Sequence, residues 1–225
     1  MSTLATGLAH EATRHPLEVR VEPALDHRNR LTVAFRPLLA IPHIVLVGGP
    51  VAAALTWATR STPGGRVEWG AGGGVLGAVA VVCAVIAWFA ILATGRHPGG
   101  LRELAVFYLR WRVRAIGYQV LLRDEYPPFG EAPYPVELVV ELPAKPRDKA
   151  SVAFRIILAI PQLLVLWALS IAWAVVTLVA WFAVLFTGRH PAGLYGFSVG
   201  ALRWTTRVEA YLLLLHDEYP PFSLA

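Results

Sequence analysis

The chain has 225 residues, 56% of them hydrophobic, and a formal net charge of +5. That length suits one ordinary domain or two small ones, and the apolar excess lies in long runs that fit a bilayer better than a soluble core. The single cysteine, Cys83, excludes an intramolecular disulfide and a cysteine-based metal site.

Residues 1–15 are polar, lack the apolar core of a signal peptide, and read as a disordered N-terminus. Residues 16–129 read as a first repeat unit. It opens with the alternating segment Leu17 to Glu22, a short strand by its period of two. After the charged stretch Asp26 to Arg30, Leu31 to Trp57 and Val75 to Thr94 are each long enough to cross a hydrocarbon core of about 30 Å. Arg36, early in the first run, is expected to snorkel to the interface. The polar insertion between the runs, about residues 51–76, reads as a flexible loop. Thr94-Gly-Arg-His-Pro98 closes the second run. Its Gly caps a helix, its Pro stops it, and Arg96 is a candidate contact for lipid phosphate. His97 lacks the companions of a metal site.

Leu101 to Leu122 is predicted helical, with Arg110 and Arg114 one turn apart on one face. Arginine at mid-membrane costs roughly 2.5–3.5 kcal/mol on insertion scales. The segment is therefore expected to lie in the interface as an amphipathic helix, with Trp111 at headgroup depth. Asp124-Glu-Tyr-Pro-Pro-Phe129 follows. Tyr126 and Phe129 read as interface anchors. Asp124 and Glu125 point apart on an extended chain, which favours structural ion pairs over an acid/base dyad.

Residues 130–225 read as a second copy. Pro16-Leu-Glu-Val-Arg-Val-Glu22 matches Pro135-Val-Glu-Leu-Val-Val-Glu141, and Leu39-Ala-Ile-Pro42 matches Leu158-Ala-Ile-Pro161, at an offset of 119. From Trp88-Phe89 and Trp181-Phe182 onward the offset is 93, so the first copy carries 26 extra residues. The second copy supplies the equivalent candidates Arg189, Arg203, Trp204, Arg207, Asp217 and Glu218. Its apolar run, Val152 to Thr187, is unbroken except at Pro161 and is too long for one upright crossing. Two readings arise: a hairpin turning near Ala168 to Ile171, or an interfacial helix followed by one tilted span. A hairpin in both copies gathers nearly all the Arg on one side, as the positive-inside bias favours. Inverted repeats, known in some transporters, are the rival.

The segments Arg-x5-Pro (Arg36 to Pro42 and Arg155 to Pro161), Thr-Gly-Arg-His-Pro and Asp-Glu-Tyr-Pro-Pro-Phe resemble an uncharacterised family of small bacterial membrane proteins. That family is a domain of unknown function, often in tandem and common in actinobacteria. The resemblance covers nearly the whole chain beyond residue 16. It implies a membrane location and assigns no activity.

The expected fold is an all-α integral membrane protein of two tandem repeats. Each is a short strand, a transmembrane helical hairpin and an Arg-rich amphipathic helix. The protein is expected to be multi-pass in the cell membrane, with both termini and the basic face in the cytoplasm. No phosphate loop, Ser/His/Asp order or His-x-x-x-His spacing is present, so a non-enzymatic role without cofactor, metal or nucleic acid is expected. The expected partners are anionic lipid, bound by the Arg and Trp named above, and a membrane protein that the chain scaffolds or assists. Homo-oligomerisation is compatible with this. A small channel or transporter is the alternative.

Overall fold

A computed structural model describes residues 15–50, 57–61, 67–71, 73–141 and 147–225. The expected disordered N-terminus lies, except for His15, outside the described residues.

β1 (Leu17–Val21) pairs antiparallel with β4 (Val136–Val140), Val19 opposite Leu138. The alternation works as expected: Leu17, Val19, Val136 and Leu138 are buried, while Glu18, Arg20 and Glu137 are not. Val19 and Leu138 are themselves positions related by the offset of 119, so each strand takes its pair from the other half of the chain.

Asn29 starts α1 (Arg30–Leu39) by accepting from the amides of Leu31 and Thr32. α1 gives way at Ala40 to α2 (Ile41–Val47), with a bend of 44°. Pro42 occupies the first turn of α2, where its missing N–H needs no helical partner. Gly48, at φ 78°, ends α2. The expected loop of the insertion is instead, in its described part, a two-stranded ladder of β2 (Trp57–Ser61) and β3 (Val67–Ala71). Backbone groups that face each other in an antiparallel pair satisfy one another, which a polar composition alone does not reveal.

α3 (Gly74–Thr94) begins directly against the end of α2. A Cβ on Gly74 would lie 2.6 Å from the Leu46 carbonyl, and its φ of +71° also requires glycine. The insertion is thus looped out between two abutting helices. At the corresponding place in the second half the helix simply continues. After the short α5 (Lys149–Ala153), α6 runs unbroken from Arg155 to Thr187, 33 residues.

This corrects the expected hairpin. Residues 167–173 contain neither Gly nor Pro, and the Ser170 hydroxyl bonds back to the Trp167 carbonyl. A continuous helix keeps its backbone bonds internal except at Pro161, which has no N–H to donate. Among the described residues, α3 and α6 are the two helices long and apolar enough to cross a membrane, and α1 with α2 would make a third if counted as one broken span. Both α3 and α6 present exposed apolar side chains, among them Val82, Phe89, Leu164, Trp167 and Phe186.

α4 (Gly99–Gln119) and α7 (Ala192–Leu212) were expected on the surface as amphipathic helices. They form the core instead. Tyr108, Leu109, Val113 and Ile116 of α4, with Ala201, Leu202, Val208 and Ala210 of α7, are all buried. Burial is possible because Arg112 pairs with Glu209 inside and Arg114 bonds a backbone carbonyl.

Candidate functional site

Two equivalent polar clusters sit at the two ends of α6. In the first, Arg28 donates from Nη2 and Nε to the Asp124 oxygens at 2.7 and 2.9 Å. Arg36 Nη2 donates to Asp124 Oδ1 at 2.7 Å, and its Nη1 reaches the carbonyls of Tyr118 and Arg123. The second repeats this with Arg147 and Arg155 on Asp217, at 2.8 and 2.6 Å, and with the carbonyls of Tyr211 and His216. The guanidinium of Arg36 lies 4.3 Å from the centre of the Tyr118 ring, and that of Arg155 lies 4.2 Å from Tyr211. All four Arg are buried. Arg36 and Arg155 therefore turn inward rather than snorkel.

Local backbone geometry builds both clusters. α4 and α7 each end with a leucine in the left-handed region, Leu121 at φ 67° and Leu214 at φ 62°. That conformation costs a β-carbon-bearing residue about 1–2 kcal/mol. It swings the next residues back so that Asp124 and Asp217 meet the Arg. Burial by itself raises the Asp124 carboxyl. The hydrogen bonds from Arg28 and the Asn29 amide, with the charges of Arg28 and Arg36, outweigh it and hold the group below the usual carboxylate range.

The halves also exchange segments. The amide of Arg28 donates to Gly188 O, and that of Arg147 donates to Gly95 O. Each Gly-Arg-His-Pro turn therefore docks the other half's arginine loop. Gly95 and Gly188 are left-handed caps at φ 74° and 71°, as their position after the apolar runs predicts. Burial lowers the pKa of His97 and His190 beside these loops, with nearby Arg charges adding to it.

The remaining predicted residues divide in two. Arg96 and Arg189 are exposed at the ends of α3 and α6, and Arg189 pairs with exposed Asp26 at 3.2 Å. The others face their own chain. Trp111 donates to His43 Nδ1 at 3.2 Å, and Trp204 donates to Gln162 Oε1 at 2.9 Å. Arg110 pairs with Glu131 and Arg114 bonds Gly130 O. Arg203 bonds Val19 O, and Arg207 bonds the carbonyls of Ser223 and Ala225. Glu125 pairs with neighbouring Arg123 at 2.7 Å, and the Glu218 carbonyl lies 3.1 Å from His216 Nδ1. Trp111, Arg114, Trp204, Arg203 and Arg207 thus each have a bond within the chain. A helix face read in isolation omits what packs on it.

Sequence reasoning missed the pair Arg112–Glu209. Nε of Arg112 donates to both carboxylate oxygens at 2.9 and 2.8 Å, and its Nη groups reach the carbonyls of Val47 and Gly49. Those carbonyls are the ones left open where α2 stops. The corresponding residues in the other copy are Thr205 and Ile116, so comparing the copies would have flagged the pair. Among the described residues no group of His, Cys, Asp and Glu could hold a metal ion.

A family model described as Domain of unknown function (DUF4389) matches two tandem segments, residues 71–130 and 149–223. The first begins at the end of the insertion, so α1 and α2 lie outside it while α5 and α6 lie inside the second. This is narrower than the coverage expected from the sequence. No curated protein and no solved structure matches the chain.

Proposed function

The chain belongs to the DUF4389 family, a domain of unknown function, and on that premise we propose that it is a non-enzymatic integral membrane protein of two interlocked repeats. It gathers anionic lipid around its embedded helices and scaffolds or assists a partner membrane protein. The observation that carries this is the placement of exposed cations where the apolar surface ends. Arg30 and Arg189 stand at the C-terminal end of α6, Arg96 and Lys149 at that of α3. An anionic headgroup meets both cation and exposed hydrocarbon there.

The β1–β4 ribbon supports the orientation we propose. Its face bearing Glu18, Arg20 and Glu137 needs water, and a two-stranded ribbon with open edges has no place in hydrocarbon. The ribbon reaches both ends of α6: His15 meets His216 at 4.9 Å, and the Glu22 carbonyl accepts from Arg123 and Tyr195. In our reading both polar clusters lie on that aqueous side, the cytoplasmic one by the positive-inside bias, and α6 dips into the bilayer between its tied ends without crossing it. The filled centre, with Tyr108, Trp173 and the Arg112–Glu209 pair, argues against a pore through one chain.

The test is reconstitution in mixed phosphatidylglycerol and phosphatidylethanolamine, followed by mild extraction and analysis of the co-purifying lipid. Glutamine at residues 30, 96, 149 and 189 should abolish phosphatidylglycerol enrichment; unchanged enrichment refutes the lipid reading. Cysteines placed singly at positions 97 and 190, with Cys83 replaced, should label from one side. Labelling from opposite sides refutes the orientation.

A further inference from the structure

Val19 and Leu138 are counterparts in the two copies and pair with each other, so the two-fold axis relating the copies passes through the centre of the β1–β4 ribbon. The exchanged bonds obey the same axis: Arg28 on Gly188 in one cluster is matched by Arg147 on Gly95 in the other. Points related by a two-fold axis lie at equal height along it, so the two polar clusters sit at one level. α6 starts in the second cluster, at Arg155, and ends in the first, at Gly188. It thus lies across the axis rather than along it. The broken line of α1, α2 and α3 does the same in the opposite direction, from Arg36 to Gly95.

Outward from the ribbon the packing is layered. The ribbon packs on α4 and α7, and these pack in turn on α3 and α6. Among the described residues, every large apolar side chain exposed on a helix belongs to α1, α2, α3 or α6, and none to α4 or α7. On α6 they cover the face opposite the core. Leu164, Trp167 and Phe186 are 66%, 68% and 71% exposed, while Arg155, Leu166, Trp173 and Val184 on the other face are buried. An α-helix with its side chains is about 10–12 Å thick, and one leaflet contributes about 15 Å of hydrocarbon. A single layer of helices therefore fills much of one leaflet's depth and stops short of the other.

We propose that this layer is a one-leaflet wedge. It inserts into the leaflet on the ribbon's side, bends the membrane convex toward the ribbon, and concentrates the protein on membrane already curved that way. Two helical lines of about 50 Å, each about 10 Å wide, add roughly 1,000 Å² to one leaflet and nothing to the other. A sheet with one expanded face relieves the mismatch by curving, and the binding of helices buried only to the headgroup and acyl boundary is curvature-sensitive. Arg96 and Arg189, exposed at the ends of α3 and α6, mark the headgroup level on that side and keep the layer from sinking toward the far leaflet. This inference rests on the membrane reading above, and in particular on both clusters sharing one aqueous side.

The test uses full-length protein carrying Cys83→Ala and Arg20→Cys, reconstituted in giant vesicles of phosphatidylcholine and phosphatidylglycerol. Arg20 is exposed on the ribbon, so a membrane-impermeant dye marks only copies whose ribbon faces outward. Narrow tubes are then pulled from the vesicle. Labelled protein should be enriched on the tube about twofold or more relative to a lipid dye. Leu164→Ala, Trp167→Ala and Phe186→Ala together thin the wedge on its exposed face and should lower the enrichment. Equal partition between tube and vesicle, or enrichment unchanged by thinning, overturns the proposal. The tube measurement on the unthinned protein stands even if the triple variant misfolds. Depth is read separately from single nitroxides at positions 157, 164, 171, 178 and 186, all exposed along α6. They should stay within one leaflet, with 157 and 186 at the same depth. A profile that passes through the midplane, with its ends at opposite surfaces, overturns the wedge together with the orientation above. A one-leaflet profile without tube enrichment overturns the wedge alone and leaves that orientation standing. Nitroxides shielded from lipid-dissolved oxygen and broadened by a neighbouring label would place a second copy on this face, and that also overturns the proposal.

Discussion

Replacing Asp124 with Asn removes the charge between two buried guanidinium groups while keeping the side chain's shape. Arg28 and Arg36 both approach the same oxygen at 2.7 Å, and their side chains are 1% and 3% exposed. Deleting one partner of a buried pair costs about 3–5 kcal/mol, because the remaining charge stays buried. Asp124 itself is 21% exposed on its side chain, which places the expected loss near the lower end, about 3 kcal/mol. For a chain of this size 1 kcal/mol shifts the melting temperature by roughly 2–4 °C, so a drop of about 6–12 °C is expected. The assay is the fraction remaining monodisperse after heating in detergent. Glu125→Gln is the control, because its pair with Arg123 leaves the carboxylate 54% exposed and is worth about 0–1 kcal/mol. If Asp124→Asn melts no lower than Glu125→Gln, the cluster does not hold the fold together. Asp217→Asn should behave as Asp124→Asn does, since the second cluster repeats the first.

Acid should weaken the fold through His216. Burial, with the charges of His15 and the nearby Arg, pushes its pKa down to about 3. The imidazole is neutral in the fold and protonates near 6.5 when unfolded, so its contribution is complete above pH 6.5 and declines as pH falls toward 3. Between pH 8 and pH 5 this loss is about 2 kcal/mol. His216→Gln should flatten the melting temperature over that interval, and an unchanged slope refutes the assignment. Excising residues 48–73 should fuse α2 and α3 into one helix like α6 and leave a folded, helical protein by circular dichroism. In the intact chain, Arg112→Thr with Glu209→Ile leaves the Val47 and Gly49 carbonyls open and should cost about 1–3 kcal/mol. In the excised chain the same double change should cost close to nothing. Equal costs in the two backgrounds would show that Arg112 does not serve the insertion.

The parts of the fold legible in the sequence are those set by neighbours along the chain. The Val and Glu alternation of Leu17 to Glu22 gives a strand, and Gly95 and Gly188 close their helices because only glycine takes φ near +70° easily. What the sequence hid depends on partners far along it. Arg110, Trp111 and Arg114 look like a wet helix face until residues such as Glu131, His43 and Gly130 are placed against them. Glu209 lies 97 residues from Arg112, so nothing local announces that an arginine at the centre of α4 is neutralised. The length argument that divided Val152 to Thr187 in two assumed an upright crossing. α6 follows about 50 Å of contour as one unbroken helix. Asp124 and Asp217 stand out in the sequence beside their Pro-Pro motif, whereas Arg28 and Arg147 lie in charged loops that carry no such signal.

The register of the ribbon bears on how the chain is made. Val19 pairs with Leu138, and the Arg28 amide bonds Gly188, so the first half reaches its final contacts only after the second has left the ribosome. Until then the strand edge of β1 is open, and the turn at Gly95 has no loop to hold. Pairings this distant in sequence are slow to form, since the long intervening loop must close first. A nascent chain stopped after residue 129 therefore has half its fastenings open. Its biogenesis then calls for rapid synthesis of the second unit or for something that shields the first.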